Sequence, residues 1–311
     1  MGAKKSKTEY NGLQQLSPST ISKIKYNNLE FHEQIGQGRF GSVHRVTFKK
    51  PHRVAHNNST NVHVYLSRPP YKHHNLYTEA AAKMFFAIHE EAATMNKLSH
   101  PYLVELLGFC YVNNGIAIME YAPNGSLHDY LAAHQQARPP PRQLNKKWIQ
   151  QSAYAIQYLH DEQNLVHMNI STKNCLLFDE DNNLKLSDYG ITWEAAQCRQ
   201  VENYRYIAPE ILYSNEDDES TPVFSKPGDI YGYGMLVLEI LTRKPPFQDA
   251  QWQDIVHDVG NGIQPEIPQE CPPNLADIMR RCWEAEPEKR PTIQTIVQGM
   301  WDIHYISFLY K

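Results

Sequence analysis

The chain has 311 residues, 41% of them apolar and 21% charged, which is the size and composition of a globular protein with one large domain or two ordinary ones. Its formal net charge of −4 gives no global basic field, so nucleic acid is not expected as a main partner. No apolar run reaches the roughly 20 residues that span a bilayer. Five scattered cysteines without a CxxC pair, and the lack of an apolar leader segment, predict a reduced cytosolic chain.

Residues 1–28 are polar and predict a flexible N-terminal arm. The arm begins MGAKKSK, where Gly2 and Ser6 fit the pattern for N-myristoylation and the lysines supply a basic flank. An acyl chain together with basic residues can hold a protein at a membrane. The alternative is a disordered, lysine-bearing tail that happens to begin with Met-Gly. Contact with the inner face of the plasma membrane through Gly2 is therefore one of two expectations for this arm.

A glycine-rich turn between two predicted strands follows the arm. The strands read FHEQIGQGRF and GSVHRVTF, and Gly36, Gly38, Gly41 and Val43 fit the pattern G-x-G-x-x-G-x-V. Glycines in such a turn let backbone amides approach phosphates without a Cβ in the way. The pattern is weak by itself. Its place between two strands disfavours a Rossmann dinucleotide site, which lies between a strand and a helix.

The next segment, residues 49–76, is rich in His, Asn and Pro and shows no helical period, which predicts an insertion loop. Histidines are also metal ligands, but the spacing of the histidines in this segment matches no ligand pattern. A solvated loop is therefore preferred over a metal site.

A strand and a helix after the insertion carry a lysine and a carboxylate. TEAAAKMF predicts the strand and AIHEEAATMNKL the helix. A lysine that reaches nucleotide phosphates needs a carboxylate to orient it, and Glu91 can orient Lys83 in this way. Glu90 is the alternative partner if the predicted register is off by one. The plainer interpretation is an exposed Lys–Glu pair that contributes under ~1 kcal/mol to stability. The short tether of seven residues predicts an ion pair that forms without ligand.

The remaining elements divide the chain into two parts. YLVELLGFCYV (residues 102–112) and GIAIMEY (residues 115–121) predict two strands joined by a hairpin turn. The predicted fold is therefore α+β, with a small antiparallel sheet and one helix followed by a larger helical part. The helices predicted in that part cover residues 145–162, 229–242, 274–285 and 293–304.

Several further motifs occur in a fixed order: EEAATMNKLSHPYLVELLGFC, KLSDYG, YIAPE, GDIYGYG and EKRPT. Together with the glycine-rich turn, they make residues 29–304 resemble a protein kinase domain of the tyrosine-kinase or tyrosine-kinase-like branch. The resemblance implies a bilobal kinase fold. The small lobe would cover residues 29–121 and the large lobe 122–304, followed by a C-terminal tail over 305–311.

The resemblance implies a site for ATP. The glycine-rich turn would cover the phosphates, while the backbone of residues 120–122 would hold the adenine, with Met119 behind it. Val43, Ala81 and Leu176 would sandwich the adenine ring. The full set of implied nucleotide-binding residues is Gly36, Gly38, Gly41, Val43, Ala81, Lys83, Glu91, Met119, Glu120, Tyr121, Ala122 and Leu176.

The resemblance also implies a site for Mg²⁺ and a structural ion pair. Asn174 and Asp188 would hold the ion against the phosphates. Tyr189 replaces the phenylalanine of the usual D-F-G sequence; its ring can still pack, while its hydroxyl needs a partner or water. In the family, the arginine at Arg290 pairs with the glutamate at Glu210.

The catalytic loop departs from the family pattern. Where the family has H-R-D-L-x-x-x-N, this chain reads HMNISTKN, so Asn169 replaces the aspartate that handles the proton of the acceptor. Losing a general base costs about 10²–10⁴-fold in rate. Met168, Ser171 and Asn203 also replace family residues on the acceptor side. Lys173 keeps a charge where receptor-type tyrosine kinases have an arginine.

The sequence leaves two functions open. The first is a nucleotide-binding pseudokinase that acts through contacts with other signalling proteins. Its loop is similar to that of the pseudokinase domains of Janus kinases, which also have asparagine there. The second is a weakly active protein kinase, with tyrosine the more expected acceptor. A phosphotransfer assay with a Lys83→Met control separates the two.

Overall fold

The computed structural model describes residues 21–38, 41–49, 77–85, 88–112, 115–135, 142–189, 204–212 and 224–301. Gly2, Asn203 and residues 50–76 of the predicted insertion lie outside these ranges. No helix in the described part of the chain is long and apolar enough to cross a membrane.

The described residues form two compact units. The first contains those of Ser22–Phe86 and Leu107–Tyr121, and the second contains those of Ala87–Leu106 and Ala122–Lys311 together with Ile21. The helix Ile88–Met95, which the sequence predicts as part of the small lobe, therefore lies in the second unit.

The first unit is a five-stranded sheet with the strand order β1-β2-β3-β5-β4. β1 pairs with β2, β2 with β3 and β3 with β5, each time antiparallel. This sheet and the helical second unit confirm the predicted α+β class. The strands are β1 (Leu29–Gly38), β2 (Gly41–Lys49), β3 (Tyr77–Phe85), β4 (Leu106–Cys110) and β5 (Ile116–Glu120).

One face of this sheet is an apolar core. Residues directly opposite each other in an antiparallel pair share a face, and the register places Val46 opposite Ala80 and Ala82 opposite Ile118. Burying one large apolar side chain contributes about 1.5–3 kcal/mol. This apolar face therefore stabilises the sheet, and the side chains of the opposite face are not part of this core. The same core also contains Phe48, Cys110 and Ile116.

The residues before β1 lie along the edge strand β4. The N–H of Ile24 donates to the carbonyl of Phe109 at 2.9 Å, and the N–H of Phe109 donates to the carbonyl of Ser22 at 2.8 Å. A Cβ added to Gly108 would lie 2.6 Å from the carbonyl oxygen of Ser22, so the close approach requires glycine. The sequence predicts residues 22–28 as part of a flexible arm. The structure differs because this segment pairs with a sheet edge that would otherwise expose backbone groups.

The second unit is mostly helical. Two short strands, β6 (Cys175–Phe178) and β7 (Asn183–Leu186), pair antiparallel within it. A π-helical turn, Tyr158–Glu162, directly follows the third helix. The helices are α1 (Ile88–Met95), α2 (Leu127–Ala133), α3 (Arg142–Gln157), α4 (Pro209–Leu212), α5 (Lys226–Thr242), α6 (Trp252–Gly260), α7 (Pro273–Cys282) and α8 (Ile293–Trp301).

Helix α5 is the centre of the second unit. Its residues from Gly228 to Ile240 are all buried, and the side chain of Ser225 caps its start by accepting the N–H of Gly228 at 3.2 Å. A helix that is apolar on nearly all sides belongs in a protein interior. Asp229 and Glu239 are buried carboxylates on this helix, at 4% and 2% exposure. Buried charges of this kind need polar partners, and those of Asp229 are His160 and the backbone N–H groups of His167 and Met168.

Candidate functional site

The sheet face opposite the core carries most of the predicted nucleotide-binding residues of the first unit. Val43 on β2 lies opposite both Gly36 on β1 and Lys83 on β3. Ala81 precedes Lys83 by two positions and therefore shares its face, and it lies opposite Met119 on β5. The register thus brings these five residues together on one face of the sheet.

Three glycines lie at the end of this face, where β1 and β2 meet the turn. A Cβ added to Gly36 would lie 3.4 Å from the Cβ of Val43. Gly38 and Gly41 face each other where β1 and β2 meet the turn. Glycine has no Cβ, so a ligand can approach backbone amides at such positions closely.

Lys83 and Glu91 are both buried, at 6% and 1% exposure, whereas Glu90 is exposed. A buried charge is costly unless it is paired. Burial therefore favours Glu91 over Glu90 as the functional carboxylate of α1, and its ion pair with Lys83 stays a prediction.

The residues predicted to surround the adenine lie at the ends of short elements. Glu120 ends β5, and the half-buried Tyr121 and Ala122 follow it. Leu176 is half-buried on β6, where it bridges to Ser126 just before α2. Their contacts with adenine stay predictions.

One carboxylate organises the catalytic loop. Asp229 on α5 accepts hydrogen bonds from the N–H groups of His167 at 2.6 Å and Met168 at 2.9 Å. Its Oδ2 also lies 2.8 Å from Nε2 of His160, in the π-helical turn. Hydrogen bonds to a charged acceptor are roughly twice as strong as neutral ones, so this buried carboxylate fixes the start of the loop.

The loop has an unusual backbone angle at Met168 and a neutral histidine at His167. Met168 has a φ of 67°, in the left-handed region that residues other than glycine rarely adopt. Nδ1 of His167 accepts the N–H of Asn169 at 3.3 Å. Burial lowers the pKa of His167, and the carboxylate of Asp229 offsets part of that shift. His167 is therefore neutral with its proton on Nε2, which has no hydrogen-bond partner among the described residues.

Asn169 lies inside this ordered loop, at the position where the family pattern has an aspartate. It is 6% exposed, and its backbone carbonyl accepts a hydrogen bond from the side-chain amide of Asn174 at 2.7 Å. Lys173 is exposed. The loop thus has a defined shape, with a neutral amide where the family pattern has an aspartate and an exposed lysine four residues later.

Asn174 and Asp188 offer oxygen ligands of the kind that Mg²⁺ prefers. The amide nitrogen of Asn174 donates to Asn169, so Oδ1 is the atom that it can offer to a cation. Ser187 links the two residues, because its N–H and its hydroxyl donate to the carbonyl of Asn174 at 2.8 Å and 3.1 Å. Mg²⁺ is commonly held by one or two protein groups together with substrate phosphates. These residues fit such an ion.

A buried polar network in the second unit is not predicted by the sequence. The hydroxyl of Tyr206 donates to Oε2 of Glu239 and lies 3.1 Å from Oγ1 of Thr172 in the catalytic loop. Oε1 of Glu239 lies 3.2 Å from Nδ1 of His128. Burial and the carboxylate of Glu239 raise the pKa of Tyr206 well above its ordinary value, so its hydroxyl remains a donor. No residue in the network has a spacing that signals the contact.

Comparison with known proteins agrees with the motifs. The profile of the family described as protein tyrosine and serine/threonine kinase matches residues 29–300. Two proteins of Acanthamoeba polyphaga mimivirus, each provisionally named a serine/threonine-protein kinase/receptor, are 27% identical over 90% of the chain and 31% identical over 88%. Tyrosine-protein kinase SPK-1 of Girardia tigrina is 29% identical over 89%. The chain spans 16%, 15% and 53% of the lengths of these three relatives.

Proposed function

The chain belongs to the protein tyrosine and serine/threonine kinase family, and on that premise we propose that it is a nucleotide-binding pseudokinase that regulates or scaffolds other signalling proteins. The observation that carries the proposal is Asn169, a neutral residue buried in a catalytic loop that is otherwise held in place.

The chemistry of the acceptor side supports this proposal. In phosphoryl transfer by kinases, a loop carboxylate accepts or orients the proton of the acceptor hydroxyl. The loop LVHMNISTKN contains no aspartate or glutamate. An amide is of similar size and can hydrogen-bond, but it is a very poor base, so transfer to a protein acceptor is absent or very weak.

The nucleotide side supports binding of ATP with Mg²⁺. Val43, Ala81, Lys83 and Met119 share a sheet face with the glycine-rich hairpin, and backbone amides in such hairpins favour phosphate oxygens. Asn174 and Asp188 would hold Mg²⁺ with the phosphates. When bound, the ion neutralises charge on the β- and γ-phosphates.

The second candidate is a weakly active protein kinase, more expected to act on tyrosine than on serine or threonine. One observation favours it: the loop is held in a defined shape, because Asp229 accepts the N–H of His167 at its start and the side-chain amide of Asn174 donates to the backbone carbonyl of Asn169. Because phosphoryl transfer depends largely on positioning and electrostatics, an ordered loop without its base can retain some rate.

Two measurements on one preparation test the proposal. A ligand at 100 times its dissociation constant stabilises a fold by about 2.7 kcal/mol, so ATP with Mg²⁺ should raise the melting temperature. The Lys83→Met variant should lose most of this shift. Phosphate incorporation into protein acceptors should match that of the variant. An unmoved melting temperature contradicts nucleotide binding, while incorporation that Lys83→Met abolishes supports the active kinase.

The N-terminal motif adds a proposal about location. An acylated Gly2 with its basic flank would place the chain at the inner face of the plasma membrane, where its signalling partners would meet it. The Gly2→Ala variant should then lose membrane association, because alanine is not acylated in this motif. Equal recovery of wild type and variant in the cytosolic fraction contradicts the idea.

A further inference from the structure

Tyr189 stands at the position of the phenylalanine in the usual D-F-G sequence and makes a contact that phenylalanine cannot make. Its side chain is 1% exposed, and its hydroxyl donates a hydrogen bond to the backbone carbonyl of Val104. A buried hydroxyl needs a partner, and this carbonyl provides it.

The carbonyl of Val104 belongs to a fixed stretch of backbone. The N–H of Val104 donates to the carbonyl of Leu186 at 2.9 Å, and the N–H of Leu186 donates to the carbonyl of Tyr102 at 2.9 Å. Leu103 and Leu186 form a parallel bridge between the same two segments. Tyr189 therefore bonds to backbone that is already tied to the end of β7, three residues before Tyr189 itself.

Asp188 lies between two anchored neighbours. On one side, Ser187 donates its N–H and its hydroxyl to the carbonyl of Asn174 at 2.8 Å and 3.1 Å. On the other side, Tyr189 is bonded to Val104. Asp188 itself has a φ of 60°, in the left-handed region that aspartate adopts more readily than most residues other than glycine.

We propose that Tyr189 is a positioning residue, whose hydroxyl bond to Val104 holds Asp188 in the orientation in which it and Asn174 bind Mg²⁺. The inference rests on the proposed nucleotide function for the identity of the ion. We call the contacts of Ser187 with Asn174 and of Tyr189 with Val104 the clamp. The clamp is present in the protein without ligand, so it holds both sides of Asp188 before an ion binds. A phenylalanine would leave the carbonyl of Val104 without this donor.

Amide hydrogen exchange on the ligand-free protein tests the clamp directly. The Tyr189→Phe variant keeps the ring and removes the hydroxyl. The amides of residues 186–188 should therefore exchange roughly five- to thirty-fold faster, the factor that corresponds to a loss of about 1–2 kcal/mol of local stability. Tyr233→Phe is the matched control, because the hydroxyl of Tyr233 also donates to a buried backbone carbonyl, that of Ile149 at 3.0 Å. The control should leave the amides of residues 186–188 unchanged. Equal exchange there in wild type and Tyr189→Phe overturns the proposal.

A binding measurement tests the consequence for the ion. Affinity for ADP is measured by calorimetry with Mg²⁺ and with EDTA. Tyr189→Phe should reduce the gain in affinity that Mg²⁺ gives by about five-fold or more and should leave the affinity in EDTA unchanged. A gain equal to that of the wild type overturns the role in ion binding. If the wild type binds no ADP under either condition, the proposed function fails, while the exchange measurement still decides whether the clamp exists.

A second variant loosens the clamp from its other side. Ser187→Ala removes the hydroxyl that donates to Asn174 and leaves the N–H bond in place. It should speed exchange at the same amides as Tyr189→Phe. Melting temperatures of both variants close to that of Tyr233→Phe show that the change is local. Faster exchange spread evenly over the whole second unit contradicts a local clamp.

Discussion

The guanidinium of Arg290 donates two parallel hydrogen bonds to the carboxylate of Glu210, each at 2.7 Å. The same guanidinium donates to the carbonyls of Pro227 at 3.0 Å and Glu284 at 2.8 Å. The side chain of Arg290 is fully buried, and that of Glu210 is 26% exposed. This geometry confirms the ion pair that the family resemblance implies and joins α4 to the segment before α8.

Removing this arginine should be strongly destabilising. Breaking a buried ion pair by deleting one partner costs about 3–5 kcal/mol, and the partial exposure of Glu210 places Arg290→Ala near the lower end. The loss in unfolding free energy is measured by urea denaturation of the whole chain, followed with a probe in the second unit. Lys289→Ala is the control, because Lys289 pairs with Glu286 on the surface and such pairs contribute about 0–1 kcal/mol. Equal losses of unfolding free energy in Arg290→Ala and Lys289→Ala would contradict the prediction.

Gly108 should be intolerant of alanine. The added Cβ would lie 2.6 Å from a backbone oxygen of Ser22 and 2.7 Å from Cδ1 of Ile24, and the oxygen cannot turn away like a side chain. Overpacking of this kind costs about 1–3 kcal/mol, and the segment before β1 should become more sensitive to limited proteolysis. Gly299→Ala serves as the control, since its new Cβ would meet only Cδ1 of Ile278 at 3.9 Å. Unchanged proteolysis of Gly108→Ala contradicts the role of this contact.

Stability should fall on mild acidification through His167. Its folded pKa is lowered by burial from the ordinary value of 6.5. Above pH 6.5 both the folded and the unfolded forms are neutral; below it the unfolded chain takes up a proton that the folded chain resists, so stability is lost as the pH falls towards the folded pKa. Burial lowers the pKa of His100 as well, which adds to the loss.

Unfolding free energies between pH 7 and pH 5 check this prediction. The His167→Gln variant should show a shallower fall than the wild type. His257→Gln, at a histidine whose side chain is 75% exposed, should follow the wild-type curve. A curve for His167→Gln as steep as that of the wild type contradicts it.

The first unit was largely predictable from the sequence because its pattern is local. Strand alternation and the glycines around Gly36 place β1, β2 and β3 within a few residues of their observed ends. The fourth predicted strand, over residues 102–112, is confined to Leu106–Cys110. Its first part bonds to Leu186 instead of to the sheet, and periodicity gives no sign of a partner so distant in sequence.

The contacts that hold the catalytic loop were less predictable, because they join residues that are far apart in the sequence. The predicted helix over residues 145–162 changes to a π-helical turn at Tyr158, where His160 meets Asp229, 69 residues away. Tyr206 and Glu239 are 33 residues apart and share no pattern. Residue types identify such groups as polar, while only the packing of the second unit shows which of them meet.

The proposed pseudokinase function implies that the acceptor side fails as a unit, and that the missing carboxylate is one part of that failure. Met168 and Ser171 are altered together with Asn169, and residues that act as a unit give non-additive effects. Restoring the carboxylate alone with Asn169→Asp should therefore recover little transfer.

The decisive measurement is phosphate incorporation by the wild type, Asn169→Asp, and Asn169→Asp combined with Lys83→Met. The acceptors are a Tyr/Glu copolymer and a serine-rich protein. We expect the single change to raise incorporation by much less than the general-base range. A rise of about 10²-fold or more that the Lys83 change abolishes would contradict it, and would identify the protein as a kinase disabled at one residue.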